Sequence, residues 1–324
     1  MMDDFSYEVL IVGSGAGGAM AAYELTRQGH KVLLLEAGRN YDPKTETPMF
    51  RPNSAAPLMG ASTPDKDFGF YDSTVDGGWQ VPGEPYTKAE GSDFLWWRAR
   101  MLGGRTNHWG RYSLRFSEHD FKGKSRDGLG ADWPFEYNDI APWYDKTEAL
   151  IGVCGTNTGL DDMPPSGEGI LQPPPTPRVP ELLIAAAAKK HGITAVPMHR
   201  AVLTKPLDSR AACFYATPCG HGCSIGAAFQ TTTSLLPMAQ ATGNLRIITD
   251  AMVKTVTVDS SGKVTGISYI DKKTATEQQL NARVIILAAS ACESARILLN
   301  SKTTTHPNGL ANSSGQVGRN LMDS

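Results

Sequence analysis

Three of the chain's five cysteines lie within eleven residues, although the chain has 324 residues in all. Cys213, Cys219 and Cys223 have the spacing C-x5-C-x3-C, and His221 lies between the last two. Thiols this close together can be free, can pair in a disulfide, or can hold a metal centre as thiolates. A disulfide requires an oxidising compartment and would leave one of the three cysteines unpaired.

Two kinds of metal centre suit these donors. A zinc ion can take three cysteines and one histidine, but His221 is only two residues from both Cys219 and Cys223. Zinc motifs usually have wider gaps between such ligands. An iron–sulfur cluster is held by thiolates and is the second possibility. The residue types by themselves leave all these alternatives open.

A second group of residues with chemical potential lies near the N-terminus. Gly13, Gly15 and Gly18 form G-x-G-x-x-G after the apolar run YEVLIVG, and the next apolar run, KVLLLEAG, reaches Glu36. The first glycine permits a tight turn, the second lets the backbone approach a pyrophosphate, and the third lets helix and strand pack closely. Glu36 is placed to accept hydrogen bonds from an adenosine ribose. The order of strand, glycines, helix, strand and acid predicts a dinucleotide site rather than a plain βαβ unit.

A third group lies in the stretch WWRARMLGGRTNHWGRYSLR, residues 96–115. Gly103 and Gly104 would let the backbone pass close to a planar ring, and Asn107 and His108 offer polar groups beside it. The alternative is a glycine turn between a helix and a strand, in which His108 is an ordinary packing residue.

The elements that position these groups follow from the apolar pattern. Residues 40–131 show little periodicity, whereas an NAD-binding domain continues at once into further βα units. Residues 244–250, 253–259 and 263–270 alternate and are separated by turn residues, which predicts an antiparallel ribbon. Residues 283–290 predict a buried parallel strand followed by a helix. This arrangement favours FAD. We therefore expect an α/β fold, with a Rossmann-like FAD-binding domain (a parallel sheet with an antiparallel meander) plus part of a substrate domain.

Composition narrows the functional classes. The length allows two domains, and a net charge of −2 gives no electrostatic reason to expect a nucleic-acid partner. No run approaches the eighteen apolar residues of a membrane span, and the acidic N-terminus does not resemble a signal peptide. We expect a soluble chain, cytoplasmic unless a partner exports it. Residues 182–192, LLIAAAAKKHG, predict an amphipathic helix that ends at Gly192.

Four motifs, GSGAGG with Glu36, LGGRTNHWG, RVIILAASACESARILLNS and VGRNLMD, together resemble the glucose–methanol–choline (GMC) family of flavin oxidoreductases. The resemblance runs from about residue 7 to the end. It implies a discontinuous FAD-binding domain over 1–40, 90–131 and 212–324, and excursions with part of a substrate domain over 41–89 and 132–211. It implies that the following residues bind the cofactor: Gly13, Gly15, Gly18, Glu36, Gly103, Gly104, Asn107, His108, Val253 and Ala289.

The family's catalytic histidine, paired with a second histidine or an asparagine, lies in a C-terminal segment that this sequence lacks. We therefore expect the sequence to be the N-terminal portion of a longer protein, with the principal base outside it. The candidate base within the chain is His108. It occupies the place where some relatives bond a histidine covalently to the flavin, although the neighbouring residues differ here.

The resemblance also bears on the three cysteines. FAD-dependent sugar dehydrogenases of this family carry a three-iron, four-sulfur (3Fe-4S) cluster on C-x5-C-x3-C, the spacing of Cys213, Cys219 and Cys223 in the loop 212–224. The resemblance gives Cys292 a place in the core and Cys154 a place in the substrate domain. The stretches NHWGRYSLR and PNGLANSSGQVG look most like the glucoside 3-dehydrogenase branch.

The implied function is oxidation of a sugar or glucoside CH–OH group by an FAD-dependent dehydrogenase, with electrons leaving through the cluster. Implied partners are a small accessory subunit, which could direct export to the periplasm, and a cytochrome c-type electron acceptor. Two alternatives remain. The first is a cluster-free sugar or alcohol oxidase that uses dioxygen, and the second is a catalytically incomplete fragment that binds FAD.

Overall fold

The computed structural model describes residues 7–47, 77–78, 81, 83–94, 96–215 and 222–321. The chain divides into two compact units. Unit 1 comprises Met1–Trp109, Gly220–Ser224 and Gln230–Ser324, and unit 2 comprises Gly110–Cys219 and Ile225–Phe229. The sequence predicts an FAD-binding domain and a substrate domain, which are distinguished by their ligands rather than by compactness. The boundaries of these two domains stay a prediction.

A four-stranded parallel sheet forms the centre of unit 1. Its strands are β1 (Val9–Val12), β2 (Val32–Leu35), β5 (Leu245–Ile248) and β9 (Val284–Leu287), in the order β5-β2-β1-β9. All three pairings are parallel. Every residue of β1 and β2 is buried, as expected for continuous apolar strands covered on both faces. Because β1 and β2 run parallel, their carboxyl ends present the glycine turn and Glu36 at the same edge of the sheet.

The helices of unit 1 include α1 (Ala16–Arg27), α7 (Leu235–Ala241) and α8 (Ala291–Asn300), and a short α2 (Pro43–Glu46) follows β2. Helices α1 and α7 pack against strands of the parallel sheet. The buried residues of α1 include Ala19, Ala22 and Tyr23, and their spacing of three and one places them on one helix face. That face packs against β1, β2 and α7.

A three-stranded antiparallel sheet completes the core of unit 1. It contains β6 (Ala251–Val258), β7 (Val264–Asp271) and β8 (Thr276–Asn281), in that order. One hydrophobic cluster joins Leu33 and Leu35 of the parallel sheet to Val256 and Ile267 of the antiparallel sheet. The expected fold class, a parallel sheet with an antiparallel meander, is thereby confirmed.

Two details of the sheet prediction are wrong. Residues 244–250 do not join the antiparallel ribbon, because β5 pairs in parallel with β2. Helix α7 packs beside α1 and delivers the chain to the open edge of β2, which needs hydrogen-bond partners. The third antiparallel strand is instead β8, whose sequence TEQQLN is almost wholly exposed. An edge strand without a buried face has no apolar alternation from which to predict it.

The other elements are short or belong to unit 2. Unit 1 also contains the pair β3 (Gly77–Gly78) and β4 (Arg98–Ala99), and 3-10 turns at Gly104–Asn107 and Thr231–Thr233. Unit 2 contains α3 (Glu118–Phe121), α4 (Gly123–Asp127), α5 (Tyr137–Ile151) and α6 (Val179–Lys190). Buried Arg115 links its own segment to Glu148 and Asp145 of α5. Burial opposes the charge of Arg115, but these hydrogen bonds outweigh it and raise the pKa of the guanidinium.

Helix α6 confirms a predicted helix but not its amphipathic character. None of its residues is buried, and Leu182, Leu183 and Ile184 are each more than half exposed. Gly192 follows the helix in the left-handed conformation, with φ of +70°. In the described part of the chain, no helix combines the length and apolar character that crossing a bilayer requires.

Candidate functional site

The glycine turn after β1 brings three segments into close contact. Gly13 has φ of +98°, and a Cβ there would lie 2.4 Å from the backbone oxygen of Ala288, just beyond β9. A Cβ on Gly18 would lie 1.9 Å from the backbone oxygen of Gly13. Both positions therefore require glycine, the first for turn and strand packing and the second for contact between α1 and β1. The structural roles expected for the first and third glycines agree with this geometry.

Glu36 lies at the carboxyl end of β2 and is 7% exposed. Its Oε2 accepts hydrogen bonds from the backbone N–H and the hydroxyl of Ser14, at 3.1 and 2.5 Å. Its Oε1 accepts one from the backbone N–H of Gly38 at 2.8 Å. The carboxylate is thus held in one orientation beside the glycine turn, since three donors of the chain converge on it.

The second glycine loop packs directly on the first. The N–H of Gly103 donates to the Ser14 hydroxyl oxygen at 2.8 Å, and Gly103 has φ of +87°. A Cβ at this position would lie within 3.0 Å of Thr232 and Asn107 side-chain atoms. The Asn107 amide is 1% exposed and donates to the backbone oxygen of Leu102 at 2.8 Å. Asn107 therefore stabilises the loop that carries the two glycines.

Between the two loops lies a face that is not filled by any side chain of the described residues. A Cβ on Gly15 would meet no atom within 4 Å, and a Cβ on Gly104 would lie 4.0 Å from the Gly15 Cα. Gly15 is the N-cap of α1 and, as a glycine, has no side chain with which to cap this helix end. Backbone N–H groups at a helix N-terminus favour an anionic group. With Glu36 at the neighbouring strand end, this arrangement fits the pyrophosphate and ribose of a dinucleotide such as FAD.

An ion-pair network anchors the strand that leads into the second loop. Arg100 donates to Glu84 and to Glu293, both at 2.5 Å, and Lys272 lies 2.8 Å from Glu84. Burial of Glu84 would raise its pKa, but hydrogen bonds from Lys272 and Arg100 outweigh this and lower the pKa below its ordinary value. Glu293 also pairs with Arg296 of α8. The network therefore joins β4 to the first turn of α8.

A third segment, the turn Thr231–Thr233, touches both loops. The Thr231 hydroxyl donates to the backbone oxygen of Ser14 at 3.1 Å and lies 3.1 Å from the Thr106 hydroxyl. The preceding residue, Gln230, is fully buried, and its side chain forms two hydrogen bonds with the backbone of Cys223. Its amide accepts from the Cys223 N–H at 3.3 Å and donates to the Cys223 carbonyl at 2.9 Å. Cys223 is 4% exposed.

The other cysteines differ in burial. Cys213, in unit 2, is half-buried, and its N–H donates to the Leu203 carbonyl at 2.8 Å. Cys154 is buried, and Cys292 is half-buried rather than part of the core. Cys219 and His221 lie outside the described residues. Within the described ranges, no three His, Cys, Asp or Glu side chains form a metal-binding group. The expected cluster on the three cysteines stays a prediction.

The remaining predicted site residues lie at different depths. Val253 is 2% exposed within β6 and belongs to the hydrophobic cluster, against which the half-buried Ala289 packs. His108 is half-buried and ends the 3-10 turn that begins at Gly104. The sequence interpretation did not single out Ser14, Gly38 or Thr231. Ser14 stands within the motif GSGAGG, but its role depends on contacts with Glu36 and Gly103, which are 22 and 89 positions away. Gly38 ends the run KVLLLEAG, only two residues after Glu36, and this proximity is a signal that could have found it.

The amino-acid sequence has relatives among characterised proteins. It is 31% identical to 6'''-hydroxyparomomycin C oxidase of Streptomyces lividus and 32% identical to 2-methyl-1,2-propanediol dehydrogenase of Mycolicibacterium austroafricanum. These matches cover 98% and 97% of this chain and 54% of each relative. It is 29% identical to the fructose dehydrogenase large subunit of Gluconobacter japonicus, over 99% of this chain and 59% of that one. The chain thus spans about half the length of these relatives.

Solved structures with the same fold include pyridoxine 4-oxidase from Mesorbium loti, with a TM-score of 0.56 and 19% identity over 91% of this chain and 52% of that one. An FAD-dependent oxidoreductase from Chaetomium thermophilum has a TM-score of 0.58 and 18% identity, over 91% of this chain and 47% of that one. The sequence profile of GMC oxidoreductases matches residues 7–324. The chain therefore belongs to the GMC oxidoreductase family, whose members are FAD-binding flavoproteins.

Proposed function

We propose that the chain is the FAD-binding part of an oxidoreductase that oxidises a CH–OH group of a sugar or a related alcohol. The observation that carries this proposal is the open face between Gly15 and Gly104, beside the held carboxylate of Glu36. Backbone rather than side chains borders this face, so a pyrophosphate can approach both loops closely. Bound FAD supplies a two-electron acceptor for the oxidation of the alcohol.

Different residues of the chain would bind different parts of this cofactor. The uncapped N-terminus of α1 faces the pyrophosphate, and Glu36 accepts hydrogen bonds from the adenosine ribose. Gly103 and Gly104 bring backbone to the flavin side, where Asn107 fixes the loop. Ala289, two residues beyond β9, and Val253 of β6 are further proposed cofactor contacts, and His108, which follows the 3-10 turn from Gly104, is the candidate base within the chain.

The relatives support an alcohol-type substrate but differ in its size and in the oxidant. Their names include a fructose dehydrogenase subunit, a diol dehydrogenase and an oxidase of 6'''-hydroxyparomomycin C. Within this range we propose a sugar or glucoside, with the glucoside 3-dehydrogenase type as the specific form. The support for that form is the sequence likeness of NHWGRYSLR and PNGLANSSGQVG.

We further propose that Cys213, Cys219 and Cys223 hold a 3Fe-4S cluster. The spacing C-x5-C-x3-C supports this assignment. The two hydrogen bonds from the buried Gln230 side chain to the backbone of Cys223 hold the backbone of one ligand in place. Such a cluster would accept electrons singly and would supply an exit to an external acceptor. A cytochrome c-type acceptor and an accessory subunit would complete such a system. The description "large subunit" of the fructose dehydrogenase relative is in keeping with the latter.

The experiment that tests both cofactors is quantitative analysis of the anaerobically purified chain. We expect bound FAD by absorption, iron and acid-labile sulfide by chemical analysis, and an EPR signal of the oxidised cluster. Cys219→Ser should remove iron and sulfide but retain FAD, whereas the matched control Cys292→Ser, outside the motif, should retain both. Full FAD occupancy without iron in the wild-type chain would refute the cluster. Absence of FAD binding would refute the flavoprotein assignment for this chain.

A cluster-free oxidase is the second candidate, because one of the relatives named above and paromamine 6'-oxidase of Streptomyces fradiae are oxidases. Reduction of bound FAD in the full-length protein, which would include the segment expected to carry the principal base, by a panel of glucosides, fructose and 2-methyl-1,2-propanediol under anaerobic conditions identifies the substrate class. Admission of dioxygen then separates the two candidates. Rapid reoxidation with hydrogen peroxide formation favours the oxidase, and slow reoxidation that an artificial acceptor accelerates favours the dehydrogenase.

A further inference from the structure

Ser14 is the x in the first G-x-G of the glycine motif, a position to which the motif assigns no role. Its side chain is nevertheless fully buried and lies between two functional loops. The hydroxyl donates to Glu36 at 2.5 Å, and the same oxygen accepts from the N–H of Gly103 at 2.8 Å. Its backbone N–H also donates to Glu36.

The direction of these hydrogen bonds follows from the chemistry of the groups. A backbone N–H can only donate, so the Ser14 oxygen must accept from Gly103. A hydroxyl has one proton, and an ionised carboxylate can only accept, so that proton goes to Glu36. Ser14 therefore transmits the position of the Gly103 loop to the carboxylate. The Gly38 N–H holds the other carboxylate oxygen, so the two oxygens cannot exchange places without breaking three bonds.

We propose that Ser14 is a positioning residue for recognition of the adenosine ribose: it orients Glu36 and couples this acid to the Gly103 loop. The proposal rests on the proposed function, in which Glu36 accepts hydrogen bonds from the ribose hydroxyls of FAD. Ser14 acts through Glu36 and does not itself touch the ribose. Loss of the Ser14 hydroxyl should therefore reduce the preference of the chain for a ligand that carries the ribose hydroxyls. If the role of Ser14 were purely structural, this preference would remain intact.

The test uses two small probes that contain the adenosine half of FAD. ADP carries both ribose hydroxyls, and 2′,3′-dideoxy-ADP lacks them. Isothermal titration calorimetry on the full chain stripped of FAD gives the dissociation constant of each probe. In the wild-type chain we expect ADP to bind at least about tenfold more tightly, the scale of a lost hydrogen bond to a charged group. Glu36→Ala should bring this ratio close to one.

Ser14→Ala should lower the ratio by about five- to tenfold relative to wild type, and should add little on the Glu36→Ala background. The matched control is Thr26→Val. Thr26 is also buried in this unit and its hydroxyl donates to the Ala22 carbonyl, away from Glu36. This control should lose stability but keep the wild-type ratio. If Ser14→Ala does not fold, Ser14→Cys, which has a slightly larger side chain and a weaker donor, should lower the ratio in the same direction.

The possible outcomes separate the two proposals. If Glu36→Ala loses the ratio and Ser14→Ala keeps it, the role of Ser14 is refuted and the proposed function stands. If Ser14→Ala weakens both probes equally, Ser14 is only structural and the inference is again wrong. If the wild-type chain does not distinguish the probes, the ribose role of Glu36 in the proposed function fails, and the inference fails with it.

Discussion

Gly15 and Gly17 are two residues apart at the start of α1, yet a side chain would meet different surroundings at each. A Cβ on Gly15 points into the open face proposed for the pyrophosphate, whereas a Cβ on Gly17 would lie in ordinary contact, 4.0 Å from Ala288 Cβ. Neither position shows a clash with the folded chain. Substitutions at these two residues therefore distinguish an effect on cofactor binding from an effect on folding.

We predict that Gly15→Ala leaves the thermal stability of the chain without FAD nearly unchanged but weakens FAD binding at least about tenfold, or about 1.4 kcal/mol. The added methyl group would occupy space that the pyrophosphate needs. Gly17→Ala is the matched control and should keep FAD affinity while stabilising the helix by up to about 1 kcal/mol. Flavin fluorescence titration and thermal melts measure both quantities. Equal loss of affinity in both variants would contradict the assignment of the open face.

At the scale of elements, helix α6 forms as the sequence predicts but lacks the buried face expected of an amphipathic helix. Its sequence, VPELLIAAAAKK, forms a helix from Val179 to Lys190, yet no residue of it is buried. Leu183 and Ile184 are each 66% exposed. Local propensity favours the helix, because alanine and leucine are strong helix formers. The helix of the isolated chain therefore does not depend on burial of these apolar side chains.

We predict that Leu183→Lys and Ile184→Lys each change the free energy of unfolding by no more than about 0.5 kcal/mol. Both variants should also increase the solubility of the chain, because an exposed apolar patch promotes self-association. Leu203, with 0% exposure in the same unit, is the control, and Leu203→Lys should prevent stable folding. Urea unfolding followed by circular dichroism tests this. Marked destabilisation by Leu183→Lys would mean that this face is packed in solution.

At the scale of the whole molecule, the network around Glu84 joins residues from distant parts of the chain. Arg100 and Lys272 both pair with Glu84, whose side chain is 10% exposed. Since the folded state lowers the pKa of Glu84, this carboxylate stabilises the fold above the pKa of the unfolded chain. That contribution is lost as the pH falls through the lower pKa of the folded state.

We predict that Glu84→Gln destabilises the chain by about 2 kcal/mol at pH 7, because two charged donors lose their charged acceptor. The difference between variant and wild type should begin to shrink as the pH falls below about 4, where Glu84 of the unfolded chain takes up a proton, and it should be lost only when the pH falls below the lower pKa of folded Glu84. Urea unfolding at several pH values measures it. Glu277→Gln, which breaks the exposed pair with Lys254, should have a much smaller effect. A difference that persists unchanged in acid would contradict this linkage.

Local sequence determined the parts of the site whose physics is local. The strand β1, the glycines at 13, 15 and 18, helix α1 and the acid at the end of β2 follow one another without interruption, so each could be predicted from its neighbours. Family membership likewise followed from four motifs in order, and the family profile confirms it. The spacing of Cys213, Cys219 and Cys223 defines a cluster hypothesis that chemical analysis must test.

Only the tertiary structure decided how distant segments meet. The place of β5 beside β2 depends on the packing of α7 on α1. The strand β5 has only four residues, and their apolar pattern does not specify which strand they pair with. The exposed strand β8 has no apolar face to reveal it. The contact of Ser14 with Glu36 and Gly103 joins residues 22 and 89 positions apart. Such contacts exist only after the sheet has formed, because a hydrogen bond between remote segments depends on their positions in space rather than on residue type.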